Sequence, residues 1–138
     1  MTVPDYGRDV TFGYFLIPNA ADPLLDSARE IEARGLDWIG IQDHPYQRRF
    51  VDTWTLLGAI AAVTTRVGFF PDVANLPLRP PAVMAKAAAS LDVLSGGRFE
   101  LGTGGRKLLG CHRGVRRPAA RAARRARCPP GSDPRSST

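Results

Sequence analysis

Residues 76–105, LPLRPPAVMAKAAASLDVLSGGRFELGTGG, carry the clearest structural pattern of the chain. Pro80 and Pro81 suit the first turn of a helix, where a missing amide hydrogen costs least, and Gly96 suits its end. Apolar side chains between them recur at helical spacing and predict a buried face: Val83, Met84, Ala87, Leu91 and Leu94. A short apolar strand at 99–101 then runs into a glycine-rich end. The stretch therefore predicts a helix followed by a buried strand.

The same alternation of strand and helix extends upstream of this stretch. Apolar, β-branched and aromatic residues predict strands at 11–17, 38–41 and 67–70. We expect Asp22 to cap the helix after the first strand and Gly35 to end that helix. The next helix is expected to begin at Asp52 or Thr53.

The spacing of the predicted strands limits the fold class. Strands begin about every 30 residues, which is the length of one strand and helix unit, so we expect parallel strands joined by helical crossovers. Trp38 and Trp54 are expected to fill the core between the helices and the sheet. A doubly wound sheet and an eight-stranded α/β barrel share this rhythm, and the periodicity leaves both open.

Charge divides the chain into two parts near Gly105. Residues 1–105 contain nine Lys and Arg against twelve Asp and Glu, whereas residues 106–138 contain ten against one. The second part has no aromatic residue to stack on bases, so a nucleic-acid partner is not expected despite the positive charge. It is also too poor in large aliphatic residues to fold alone. Two explanations stay open: a disordered arginine-rich arm, or translation of this segment in a shifted reading frame.

The cysteines and the hydropathy pattern exclude other classes of protein. Cys111 and Cys128 lie in the arginine-rich part without the spacing of a metal site, so no metal is predicted. No apolar run reaches the roughly 18 residues that a membrane span requires, and the N-terminus lacks the order of a signal peptide. We therefore expect a cytoplasmic protein without a membrane partner.

Two stretches of the chain resemble a known family. The segment 76–105 and GLDWIGIQDHPY at 35–46 are similar to the luciferase-like monooxygenase family of flavin- or deazaflavin-dependent oxidoreductases, and the resemblance covers about 11–105. It implies an α/β domain at 1–105, the N-terminal half of a TIM-type (β/α)8 barrel with about four parallel strands and three helices, followed by a disordered basic tail at 106–138. Such a truncated barrel would expose two unpaired strand edges, so we expect poor solubility or self-association, and little or no turnover, from this chain alone.

The resemblance also implies the position of an active site. In such barrels the site lies at the carboxyl ends of the strands. Asp43 and His44 would face the cofactor ring or the substrate, with His44 donating a hydrogen bond or moving a proton. A non-proline cis peptide bond between Asp72 and Val73 would support the ring, and Asn75 would offer amide contacts.

Two glycines complete the predicted cofactor site. Gly102 and Gly104 follow the fourth strand, where glycine lets the backbone approach a ligand. From the residues alone, ordinary structural roles stay open: a strand cap for His44, loop contacts for Asp43, turn chemistry for Asn75 and a hinge for the glycines.

The function implied by the resemblance is oxidation or reduction of a small organic substrate. The cofactor would be reduced FMN acting with oxygen, or the deazaflavin coenzyme F-420 acting by hydride transfer, and residues 1–105 leave this choice open. The family also suggests a homo-oligomer. The alternative is a non-enzymatic fragment or a basic-tailed nucleic-acid-binding protein.

Overall fold

The computed structural model describes Gly7 and residues 9–104. The strands are β1 (Gly13–Leu16), β2 (Trp38–Ile41), β3 (Gly68–Pro71), β4 (Ala74–Asn75) and β5 (Thr103–Gly104); the helices are α1 (Leu24–Ala33), α2 (Thr53–Val63) and α3 (Pro81–Ser95), with one 3-10 turn at Leu76–Leu78. The predictions for Gly105, the arginine-rich tail and its two cysteines lie outside the described residues.

The main sheet is parallel, as the spacing of the strands predicts. Its order is β1-β2-β3, and the register places Gly13 beside Trp38 and Trp38 beside Gly68. Helices α1 and α2 are the two crossovers between these strands. Within the described residues β1 pairs only with β2, so its other edge is unpaired there. This parallel arrangement confirms the α/β fold class, while the half barrel and the disordered basic tail stay predictions.

The predicted fourth strand at 99–101 is correct in place and direction but wrong in extent. Phe99 forms an isolated parallel bridge with Phe69, and regular pairing resumes only where β5 meets β4. The hydrogen bonds of residues 72–74, which follow β3, explain why the pairing between β3 and the fourth strand is interrupted. The N–H of Asp72 donates to Ile41 of β2 at 2.7 Å, and the next bond toward the fourth strand joins the N–H of Ala74 to the carbonyl of Gly102, also at 2.7 Å.

The hydrophobic core lies between the helices and one face of the sheet. Its largest fully buried apolar side chains come from strands, from helix α2 and from the residue before β3: Ile39, Ile41, Leu57, Ile60, Val67 and Phe69. Trp54 of α2 is buried against Phe99, with ring centroids 6.0 Å apart, which confirms its predicted core position. Burial of these apolar side chains supplies most of the favourable free energy of folding.

The prediction that Trp38 fills this core is wrong. Successive side chains of a strand point to opposite faces, so Ile39 and Ile41 take the helix side and leave Trp38 on the other face. There its ring lies across Gly68, where an added Cβ would collide with it, and contacts the ring of Phe70 edge-on at 6.1 Å. Gly68 therefore provides the space that Trp38 occupies.

The helix ends agree with the sequence at most positions. Asp52 caps α2 by accepting from the N–H of Thr55 at 2.9 Å, and Gly35 and Gly96 follow α1 and α3 with φ of +83° and +69°, in the left-handed region that favours glycine. The predicted cap at Asp22 is wrong. Pro23 takes the N-cap position of α1, and no side chain caps that helix.

Helix α3 buries a narrower face than its sequence predicts. Met84 is 3% exposed, and Ala87 and Leu91 pack against the core. Val83 and Leu94, predicted on the same face, are 58% and 81% exposed. They lie on the flanks of the helix, where no described element covers them.

Glu32 joins α1 to the turn that leads into β3. Its carboxylate accepts from the backbone N–H groups of Thr65 at 3.0 Å, Arg66 at 2.7 Å and Val67 at 2.9 Å. Burial opposes the charge, but these three hydrogen bonds outweigh it and lower the pKa of Glu32 to about 2. The carboxylate thus satisfies three backbone donors that precede the third strand.

Arg98 joins the ends of three elements. Its guanidinium donates to the carbonyls of Ser95 at 2.9 Å, Ala61 at 2.9 Å and Val67 at 3.1 Å, and to the hydroxyl of Thr64 at 2.9 Å. These groups belong to the end of α3, the end of α2 and the approach to β3. One side chain therefore fixes where the fourth strand starts relative to the third.

The Glu32 contacts predict a pH-dependent stability. Because the folded-state pKa lies below the ordinary value of 4.5, the carboxylate stabilises the fold fully above about pH 4.5 and progressively less as the pH falls toward 2. Glu32→Gln should lower the free energy of unfolding by about 1 kcal/mol at neutral pH and flatten its pH dependence in this window. Urea denaturation at several pH values measures both effects. Glu30→Gln, in an exposed pair with Arg34, is the control and should change stability little; an equal loss there would contradict the assignment.

The Arg98 contacts predict that lysine cannot replace this arginine. Lysine lacks the planar fork of donors, so Arg98→Lys should leave buried carbonyls without partners and cost about 2 kcal/mol of stability. Arg34→Lys, at an exposed side chain, should change stability by less than about 0.5 kcal/mol. Chemical denaturation of both variants tests the difference. Equal free energies of unfolding for the Arg98 and Arg34 variants would show that the hydrogen bonds of the Arg98 guanidinium do not stabilise the fold.

Candidate functional site

A cavity of about 260 Å³ lies at the carboxyl ends of β2 and β3. Its lining contains six of the seven predicted site residues together with one further residue: Asp43, His44, Tyr46, Asp72, Val73, Asn75 and Gly104. Parallel strands bring their carboxyl ends to one edge of the sheet, so residues distant in sequence meet there. Tyr46 is the lining residue that the sequence prediction missed, although its position two residues after His44 was a usable signal.

Asp43 connects the ends of the second and third strands. It is 2% exposed, and its Oδ2 accepts from the backbone N–H of Asn75 at 2.9 Å. The preceding residue is held as well, because the hydroxyl of Thr53 donates to the carbonyl of Gln42 at 2.8 Å. Asp43 thus has a fixed place in the wall of the cavity, and its hydrogen bond from the Asn75 N–H is a backbone contact of the kind that the sequence left open.

The peptide bond between Asp72 and Val73 is cis, as predicted. The backbone on either side of it is hydrogen-bonded to different strands, with Asp72 bonded to Ile41 and Ala74 bonded to Gly102. Val73 is 42% exposed and contributes an apolar surface to the cavity. The segment therefore presents a hydrophobic side chain between two anchored residues.

Two buried oxygens beside the cavity have no hydrogen-bond partner within the described part of the chain. They are Oδ1 of Asp43 and Oδ1 of Asn75, both in residues that line the cavity. Buried polar atoms in folded proteins are nearly always hydrogen-bonded, and an unpaired acceptor costs about 1–3 kcal/mol. These oxygens therefore fit a bound group that offers N–H or O–H donors at this edge of the sheet.

His44 and Tyr46 form the second polar feature of the cavity. The phenol oxygen of Tyr46 lies 2.7 Å from Nδ1 of His44, and the ring centroids are 5.3 Å apart. Both side chains are half-buried. An imidazole in such a position can donate a hydrogen bond or transfer a proton near neutral pH.

The predicted glycines are required by close packing. A Cβ at Gly104 would collide with the side chain of Val73, and one at Gly102 would lie 2.5 Å from the carbonyl oxygen of Pro71. Gly104 lines the cavity, whereas the carbonyl of Gly102 accepts a hydrogen bond from the Ala74 N–H. Glycine at these two positions lets the fourth strand approach the segment after β3.

An ion pair fixes the segment that follows Asn75. Arg79 donates to Asp52 at 2.5 Å and lies over the ring of Trp54, 5.3 Å from its centroid. Burial disfavours the charge of Asp52, but the hydrogen bond from the Thr55 N–H and the attraction of Arg79 outweigh it and lower the pKa of Asp52. The cavity wall is thereby attached to the start of α2.

No helix in the described residues is both long and apolar enough to cross a membrane.

Individual relatives match parts of this chain. An uncharacterized protein of Mycobacterium tuberculosis is 51% identical over 55 residues, which is 40% of this chain and 19% of that protein. The coenzyme F420 dependent tetrahydromethanopterin reductase from Methanopyrus kandleri is 31% identical, with a TM-score of 0.62 over 72% of this chain and 28% of its own. The oxygenating constituent of 3,6-diketocamphane monooxygenase from Pseudomonas putida, solved with FMN, shares the fold at 22% identity, with a TM-score of 0.65 over 74% of this chain and 31% of its own.

The chain therefore spans less than a third of the length of these relatives. The sequence profile of the luciferase-like monooxygenase family matches residues 7–127, and so continues past Gly105, where the resemblance read from the sequence stops. This match covers most of the 138 residues. The chain belongs to the luciferase-like monooxygenase family.

Proposed function

We propose that the cavity at the ends of β2 and β3 holds the ring of a flavin-type cofactor, either FMN or the deazaflavin F-420. The observation that carries this proposal is the pair of unpartnered buried oxygens, on Asp43 and Asn75, that accompany His44 in one cavity. A ring system with N–H donors along one edge would satisfy them. The solved relatives described with F420 and with FMN support the same two candidates.

Each predicted site residue has a role in this proposal. Asp43 and Asn75 accept hydrogen bonds from the cofactor ring, and Val73 contacts its face as an apolar support. Asp72 holds the adjoining backbone against β2. Gly104 allows the backbone to come close to the ring, and Gly102 allows the fourth strand to pack against the carbonyl of Pro71.

The bound cofactor would supply the redox chemistry. The chain's own residues bind and orient the cofactor ring, and His44 holds a proton at the open side of the cavity. We propose a small organic substrate, since the cavity already has to accommodate the ring. The choice between oxygen chemistry with reduced FMN and hydride transfer with F-420 depends on the cofactor that this chain binds.

The described strands form one part of such a site. The matched region is less than a third of each solved relative, and phosphate-binding loops of α/β barrels commonly lie after the seventh and eighth strands. We therefore propose that the 138-residue chain binds the cofactor weakly and turns over substrate slowly or not at all. A basic-tailed nucleic-acid-binding protein, the alternative raised by the sequence, is not favoured by the comparisons.

Cofactor titration of the full chain tests the proposal. FMN and F-420 are added separately to ¹⁵N-labelled protein, and amide chemical shifts are followed. We expect concentration-dependent shifts at Asn75 and Gly104 with at least one cofactor, because their amides border the cavity. Shifts confined to residues away from the strand ends, or no shifts with either cofactor at millimolar concentration, would contradict the proposed site.

Asp43→Asn tests the unpartnered oxygen itself. The remaining amide oxygen can still accept from the Asn75 N–H, while the acceptor that has no donor in residues 9–104 is replaced by an NH2 group. We expect binding about tenfold weaker, which corresponds to about 1.4 kcal/mol, with little change in stability. Asp26→Asn on the exposed side of α1 is the matched control. Equal affinity of the Asp43 variant and the parent would show that this oxygen does not contact the cofactor.

A further inference from the structure

The ring of His44 is held by one neighbour on the cavity wall. Tyr46 Oη lies 2.7 Å from Nδ1, a normal distance for a hydrogen bond between a hydroxyl and a nitrogen. The other ring nitrogen, Nε2, has no hydrogen-bond partner among the described residues. Both residues line the cavity together with Asp43 and Asp72. The state of Nδ1 therefore determines what Nε2 can offer to a bound molecule.

The chemistry of the two groups sets the direction of this hydrogen bond. A phenol is a good donor and a weak acceptor, whereas the unprotonated nitrogen of a neutral imidazole is a strong acceptor. The favourable arrangement at neutral charge has Tyr46 Oη donating to Nδ1 of His44. The ring then carries its one hydrogen on Nε2, because the hydrogen bond at one ring nitrogen determines the tautomer.

We infer that Tyr46 is a positioning residue that fixes neutral His44 as a hydrogen-bond donor through Nε2. This inference rests on the proposed function, because the molecule that receives the hydrogen bond is the bound cofactor or substrate. A neutral His44 in this tautomer has no lone pair at Nε2 and does not take a proton from a substrate there. The site accordingly suits reactions in which the protein gives a hydrogen bond to the reacting group through Nε2.

The test is made on the neutral imidazole ring, because two tautomers exist only in that form. The charged side chains that line the cavity with His44 are Asp43 and Asp72. The measurement is made at about pH 8.5, between the ordinary pKa of histidine, about 6.5, and that of tyrosine, about 10.

The experiment uses ¹⁵N NMR of the imidazole rings in the full chain without cofactor. The sequence has two histidines, so His112→Gln assigns the His44 signals. We expect Nδ1 to be unprotonated and displaced by its hydrogen bond, and Nε2 to be protonated. Tyr46→Phe should move the Nδ1 signal toward that of a free nitrogen and increase the Nδ1–H tautomer several-fold. Tyr14→Phe removes the same hydroxyl from a half-exposed position on β1 and should change neither signal.

Two results would overturn the inference. One is a protonated Nδ1 in the parent chain, which would mean that His44 donates to Tyr46. The other is an unchanged His44 spectrum in the Tyr46 variant. If that variant fails to fold, the protonation state of Nδ1 in the parent chain still decides the direction of the bond. Cofactor titration fails or succeeds independently of these spectra, so failure of the proposed function is distinguishable from failure of this inference.

Discussion

The guanidinium of Arg98 is the interaction on which the arrangement of the described elements depends. It binds carbonyls at the ends of α2 and α3 and on the approach to β3, and it does so from the residue just before the bridge at Phe99. Several donors on one rigid plane fix the angles as well as the distances between these elements. These hydrogen bonds place Phe99 beside Phe69, and they thereby direct the fourth strand toward the cavity.

The sequence predicted the parallel sheet because helices and strands repeat with the length of a strand and helix unit, and the turn residues mark their ends. Gly35, Asp52, Pro81 and Gly96 act locally, so their roles are readable without knowledge of the fold. The position of Trp38 could not be predicted from local sequence patterns. Because side chains alternate along a strand, Trp38 points to the face opposite Ile39 and Ile41. The space over Gly68 that its ring occupies forms only when β2 and β3 pair.

The candidate site was largely predictable for a different reason. Its residues follow strands, and the carboxyl ends of parallel strands converge, so the family motifs placed Asp43, His44 and Asn75 in one region. The sequence did not indicate which oxygens are left without donors, or that Tyr46 reaches His44. These features depend on side-chain directions that only the assembled loops define.

Asp43 uses one carboxylate oxygen to hold the backbone of Asn75, and the other is buried without a donor among the described residues. A ligand that binds the second oxygen would favour the conformation in which the first is engaged, because both belong to one rigid group. Ligand affinity and the pairing of the strand ends are then thermodynamically linked, so that each strengthens the other. Occupancy of the cavity would accordingly slow the local opening of the sheet edge, and the ligand would act as part of the folded structure.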